Sequence, residues 1–75
     1  MITVYGRDNC DACRYTCKFL SDNEVAFTYI DVDNPPVDLP PSMGLQLPYV
    51  VTARGNWSGY KRERLKTLVV IYGKP

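Results

Sequence analysis

The chain has no histidine. That absence removes Ser-His and Cys-His nucleophilic pairs, and it removes the commonest metal ligand. A charge excess of one sign is also missing, because nine Lys and Arg stand against eight Asp and Glu. Nucleic-acid binding draws on a marked basic excess, and an acidic interaction tail on the reverse. Neither partner class is expected. No long hydrophobic run occurs: Leu68 to Tyr72 is the longest, far too short to span a bilayer. Met1 to Tyr5 carries no basic n-region, and Arg7-Asp8 interrupts any apolar segment, so no secretory signal and no membrane partner are expected. The expected location is cytoplasmic.

Cysteine is scarce but concentrated. Three cysteines lie at positions 10, 13 and 17 and cannot staple distant parts of the chain. Their odd number leaves one unpaired, which suits a reactive cluster in a reducing compartment better than a secreted scaffold. With 75 residues, one domain spanning 1–75 and acting as a monomer is the expectation. A chain of this size buries only about 60% of its unfolded surface, so its stability margin is thin.

Ile2-Thr3-Val4-Tyr5 is β-branched and aromatic and stops at Gly6, which predicts a strand. A helical pattern follows, with Cys13, Cys17 and Leu20 on one stripe, Ala12, Thr16 and Phe19 beside it, and an end at Ser21-Asp22-Asn23. Ala26 to Val32 predicts a second strand, parallel to the first if the helix is a crossover. Prolines 35, 36, 40 and 41 then forbid a regular helix, leaving room for one short turn between Ser42 and Gln46. Pro48 to Thr52 predicts a third strand, with its proline at the tolerated first position. Ala53 to Asn56 is turn material before a short strand around Trp57. From Lys61 a helix is predicted whose buried face holds Leu65, Leu68, Val69 and Tyr72, with Gly73 as its C-terminal cap. The order is β-α-β, a loop, then β-β-α.

Cys10-Asp11-Ala12-Cys13 falls between a strand and a helix, and this placement carries the chemistry. A cysteine at the first helical turn meets unsatisfied backbone N–H groups and the positive end of the helix dipole, which stabilise a thiolate. Cys13 lies one turn inside, close enough to form a short disulfide with Cys10. An exposed attacker and a sheltered resolver are what thiol–disulfide exchange requires. Arg7 would add positive charge near the sulfur, and the Asp11 carboxylate would oppose the thiolate. Simple burial of both cysteines as small hydrophobes is the plainer reading of the same residues. Cys17, on the same helix face, reads first as a core residue. Three thiolates could also ligate zinc or an iron–sulfur cluster, but the fourth ligand would have to come from outside the chain.

These residues resemble the glutaredoxin-like NrdH-redoxins, small proteins of the thioredoxin fold. The resemblance covers nearly the whole chain. It rests on Arg7 to Cys13, Thr16, Leu47-Pro48-Tyr49-Val50-Val51 and Trp57-Ser58-Gly59-Tyr60. The last segment is the most specific, since it looks like the Trp-Ser-Gly-Phe signature before the final helix of the family. The resemblance implies an α/β thioredoxin fold with a four-stranded mixed sheet, its second helix shortened or absent because of the prolines. It implies a protein disulfide reductase with no bound cofactor beyond a redox-active Cys10–Cys13 disulfide. Cys10 would attack the substrate disulfide and Cys13 would resolve the mixed disulfide. Pro48 would be a cis-proline, with the Leu47 backbone pairing an extended substrate chain. Thr16, Trp57, Ser58, Gly59 and Tyr60 would serve structure or partner contact, with Ser58 near the N-cap of the last helix. The implied partners are thioredoxin reductase as electron source and class Ib ribonucleotide reductase as target. The Gly-Gly-x-Asp segment of glutathione-dependent glutaredoxins is missing, which points away from glutathione. A metal or cluster carrier, or a redox-inert binding module on the same fold, are the alternative readings.

Overall fold

The computed structural model describes residues 1–73. Six elements follow one another: β1 (Thr3–Gly6), α1 (Asp11–Asp22), β2 (Thr28–Asp31), β3 (Tyr49–Thr52), β4 (Gly55–Ser58) and α2 (Arg62–Tyr72). They build one four-stranded sheet in the order β2-β1-β3-β4. β1 runs parallel to β2, and the β1–β3 and β3–β4 pairs are antiparallel. This is the mixed sheet of the thioredoxin fold, reached through an α1 crossover and a hairpin.

The expected β2, Ala26 to Val32, is longer than the strand observed, and the reason is its partner. β2 is an edge strand paired only with β1, whose four residues match Thr28–Asp31 one for one. The hairpin turn is also tighter than expected. Only Ala53 and Arg54 lie outside the strands, because Gly55 adopts φ 130° and begins β4 at once. Thr52 Oγ1 locks this turn, donating to the Gly55 carbonyl at 2.8 Å and accepting from the Arg54 N–H at 3.0 Å.

No helix forms between β2 and β3. A turn directly after β2 is closed by Asn34 N–H to the Asp31 carbonyl at 3.2 Å. The turn expected between Ser42 and Gln46 forms slightly earlier, closed by Met43 N–H to the Pro40 carbonyl at 3.0 Å. Both helices pack on one sheet face. The core there comprises Ile2, Val4, Leu20, Val25, Val50, Trp57, Leu65 and Leu68, with Cys17, Phe19, Phe27 and Val69 packed against it. On the opposite face Tyr5 and Tyr49 stand side by side, ring centroids 5.9 Å apart. The proline-rich segment reaches this face through Ser42, whose hydroxyl lies 2.8 Å from that of Tyr49.

Two terminal features of α2 differ from expectation. Its N-cap is Lys61, without a side-chain cap, and Ser58 is the last residue of β4. Gly59, at φ 89°, turns the chain after β4, so helical geometry starts only beyond Tyr60. At the other end Gly73 is the C-cap, but in an extended rather than a left-handed conformation. Glycine is needed there for space: a Cβ would meet the Val69 carbonyl oxygen at 2.5 Å. Tyr72, expected on the buried face, is 37% exposed, so Leu65 and Leu68 carry that face.

Candidate active site

Cys10 is the N-cap of α1, in extended conformation, and its Sγ accepts a hydrogen bond from the Cys13 backbone N–H at 3.1 Å. This N–H is one of the orphan donors of the first helical turn, so the cap places a donor where it would stabilise negative charge on the Cys10 sulfur. Cys10 and Cys13 are joined as a disulfide, with Cα atoms 5.2 Å apart. Their environments differ. Cys10 is partly exposed, while Cys13 is only 1% exposed.

The β-sheet brings the rest of the site to the same end. Tyr5 pairs with Tyr49, and continuing that register places Pro48 opposite Gly6. Gly6 in turn approaches the cysteines so closely that a Cβ there would lie 3.0 Å from Cys13 Sγ. The Leu47-Pro48 bond is cis, Pro48 is buried and Leu47 is half-buried. The Gly59 N–H donates to the Pro48 carbonyl at 2.8 Å, which ties the Trp57-Ser58-Gly59-Tyr60 segment to the proline. Tyr60 also reaches α1, meeting Tyr15 edge-on with centroids 6.3 Å apart.

The other predicted residues are placed less simply. Arg7 is exposed and its guanidinium donates to Asp33 at 3.0 Å, so its charge is shared with a carboxylate. Asp11 lies beside Cys10 in the first turn of α1 and forms an ion pair with Arg14. Thr16 is fully buried and spends its hydroxyl proton on the Ala12 carbonyl at 2.8 Å. Trp57 packs in the core beneath the Arg64 guanidinium, 5.5 Å from the ring centroid. Its Nε1 has no hydrogen-bond partner among the described residues. Arg54, the cation nearest in sequence to the missing glutathione segment, sits in the β3–β4 turn. β3 runs away from Pro48 toward that turn, so Arg54 lies at the far end of the strand from the cysteines.

Cys17 is half-buried, and burial pushes its thiol pKa up. It lines a cavity of about 310 Å³ together with Cys13, Arg14, Phe27 and Tyr29. Tyr29, which the sequence does not single out, brings its hydroxyl toward Gly6, where a Cβ would meet it at 2.8 Å. The only sequence signal for it is Gly6, a strand residue without a side chain beside a cysteine. Among the described residues no group of three or more His, Cys, Asp or Glu side chains is arranged to hold a metal ion. No helix among them is long and apolar enough to cross a membrane.

The glutaredoxin family model matches residues 2–42. Two proteins described as glutaredoxin-like protein NrdH, from Lactococcus lactis subsp. cremoris and subsp. lactis, are each 35% identical over 71 residues. Each match covers 91% of this chain and 99% of the relative. Among solved structures, the NrdH-redoxin of Escherichia coli, a glutaredoxin-like protein described as having a thioredoxin-like activity profile, matches with a TM-score of 0.75. The identity is 27%, over 89% of this chain and 92% of that one. The glutaredoxin of Archaeoglobus fulgidus matches with a TM-score of 0.70 at 26% identity, over 91% of this chain and 84% of that one. With a capped Cys10–Cys13 pair at the end of a four-stranded mixed sheet and these relatives along almost its full length, the chain belongs to the glutaredoxin family, as a glutaredoxin-like NrdH thiol–disulfide oxidoreductase.

Proposed function

We propose that this protein is a disulfide reductase recharged by thioredoxin reductase, and that it passes its electrons to a class Ib ribonucleotide reductase. The observation that carries the chemistry is the asymmetry of the pair. Cys10 sits partly exposed with a backbone N–H 3.1 Å from its sulfur, and Cys13 is buried behind it. Cys10 is the nucleophile: its thiolate attacks the substrate disulfide, forms a mixed disulfide and expels one substrate thiolate. Cys13 then attacks the Cys10 sulfur, releasing the second thiolate and closing the Cys10–Cys13 disulfide. The substrate has been reduced by two electrons and the protein oxidised by two. Asp11 opposes the Cys10 thiolate and Arg7 supports it, each weakened by the partner it holds.

Leu47 and Pro48 form the seat for an extended substrate chain beside the cysteines. Gly59 fixes that seat through its hydrogen bond to the Pro48 carbonyl. Ser58 and Tyr60 flank it as a surface suited to a protein partner, with the buried Trp57 packed in the core beneath. The choice of electron source has two supports. Arg54 is at the wrong end of β3 to hold a glutathione carboxylate, and the Escherichia coli relative is described as thioredoxin-like in activity. The ribonucleotide reductase assignment rests on the NrdH relatives.

The deciding experiment follows NADPH oxidation with a small disulfide as final acceptor. Thioredoxin reductase should recycle this protein efficiently, and glutathione with glutathione reductase should do so poorly. Efficient turnover by glutathione together with none by thioredoxin reductase would reverse the assignment.

A further inference from the structure

Cys10 has a donor for its negative charge, but Cys13 has none of its own kind. The Cys13 N–H serves Cys10, and the nearby buried hydroxyl of Thr16 is committed to the Ala12 carbonyl. Yet resolution of the mixed disulfide requires Cys13 to become a thiolate while 1% exposed. An unassisted buried thiolate is unfavourable, because desolvation penalises the charged form.

Gly6 shows where assistance comes from. A Cβ built on it would lie 2.8 Å from the Tyr29 hydroxyl oxygen and 3.0 Å from Cys13 Sγ. Both atoms flank one point, so they are no more than about 6 Å apart. The absent side chain is what lets the Tyr29 ring lie across the end of β1 toward the cysteine. Register agrees, since Tyr29 pairs with Val4 and therefore projects from the helix-covered face of the sheet. Tyr29 also lies on the edge strand and is 44% exposed, which leaves the phenol room to adjust. Opening the Cys10–Cys13 disulfide frees the Cys13 side chain to turn toward it.

We infer that Tyr29 is a positioning residue for resolution: its hydroxyl donates a hydrogen bond to the Cys13 thiolate once the Cys10–Cys13 disulfide is open. The donor is in the correct state at neutral pH. Burial, then Cys17, Asp31, Asp8 and Asp33, hold the Tyr29 pKa above its ordinary value, so the phenol keeps its proton. Arg14 is the cation lining the same cavity, and its guanidinium is paired with Asp11. The inference rests on the two-cysteine exchange already described and adds a residue to its second step.

The test uses an aromatic disulfide whose thiol product is coloured, in a Cys17→Ser background that leaves Cys10 and Cys13 as the only thiols. The reduced protein should release product in two phases. The first is attack by Cys10, and the second is attack by Cys13 on the mixed disulfide. Tyr29→Phe keeps the ring and removes the donor. A hydrogen bond to a charged group is worth about one pKa unit or more. Because thiolate nucleophilicity rises with pKa at a slope of about 0.4–0.5, the second phase should slow by only about threefold at neutral pH. Above the pKa of Cys13 the same variant should run about threefold faster, for the same reason. Its pH profile should thus move upward by about one unit and cross that of the parent. The first phase should be unchanged. Uniform slowing at every pH would mean that Tyr29 only shapes the cavity, and an unchanged second phase would overturn the inference outright. A missing first phase in the parent protein would instead count against the exchange reading itself.

Discussion

In the proposed mechanism the Cys10 thiolate is favoured by a position in the chain rather than by a neighbouring base. The sulfur replaces the usual Ser, Thr, Asp or Asn oxygen at an N-cap, and a backbone N–H at 3.1 Å takes the role that a charged side chain plays elsewhere. Cys17 is its counterpart, a half-buried thiol whose pKa burial raises. The two should separate cleanly on alkylation of the reduced protein. Cys10 should react first, at a pH below the roughly 8.5 of a free thiol. Cys17 should follow only at higher pH, since its unfavourable charged form is populated late. Mass mapping of the first adduct checks this, and first labelling on Cys13 or Cys17 would refute it. This contrast was legible in the sequence, because a CxxC after a strand signal fixes the helix start to within a residue. The surroundings of Arg7, Asp11 and Tyr29 were not. Whether Arg7 faces a sulfur or Asp33 depends on how the segment after β2 turns back, and that is decided by tertiary packing.

The strands and helices were readable by kind, and their limits were set by partners. β2 is cut to four residues by the length of β1, and α2 starts late because Gly59 must first turn the chain. That turn is the element that joins the β4–α2 corner to the proline seat. Gly59 has φ 89°, and a Cβ there would come within 2.9 Å of the Gln46 side-chain amide. Gln46 is exposed and can move aside, but the backbone conformation remains unfavourable for an L-residue. Gly59→Ala should therefore cost about 1–2 kcal/mol. For a chain of this size that corresponds to a fall in melting temperature of about 4–8 °C per kcal/mol. Turnover of a protein disulfide should fall more than that of a small one, because the Gly59 N–H steadies the Pro48 carbonyl. Thermal melts and paired assays with both substrates check the two halves. Equal loss on both substrates would place the effect in stability alone.

At the scale of the whole molecule the two sheet faces are unequal. Four prolines between 35 and 41 prevent a covering helix, which the sequence made plain, but what covers the second face instead was not legible there. That face carries the Tyr5–Tyr49 pair, with Tyr49 buried and in hydroxyl contact with Ser42, while the buried aliphatic core lies on the helical side. Stability should therefore reside almost entirely on the helical side. Leu65 is fully buried between α2 and the sheet, while Val51 is half-buried on the opposite face, paired with Thr3. Truncating a buried leucine to alanine costs about 2–5 kcal/mol, a large part of the roughly 5–15 kcal/mol that holds an ordinary domain together. Leu65→Ala should bring the urea midpoint down by about 1 M or more, given slopes of about 1–3 kcal/mol/M. Val51→Ala should cost less than half as much. Urea titrations of the oxidised protein followed by Trp57 fluorescence measure both. If Val51→Ala proves as damaging as Leu65→Ala, the proline-rich segment is a true second layer, and the molecule does not depend on one core.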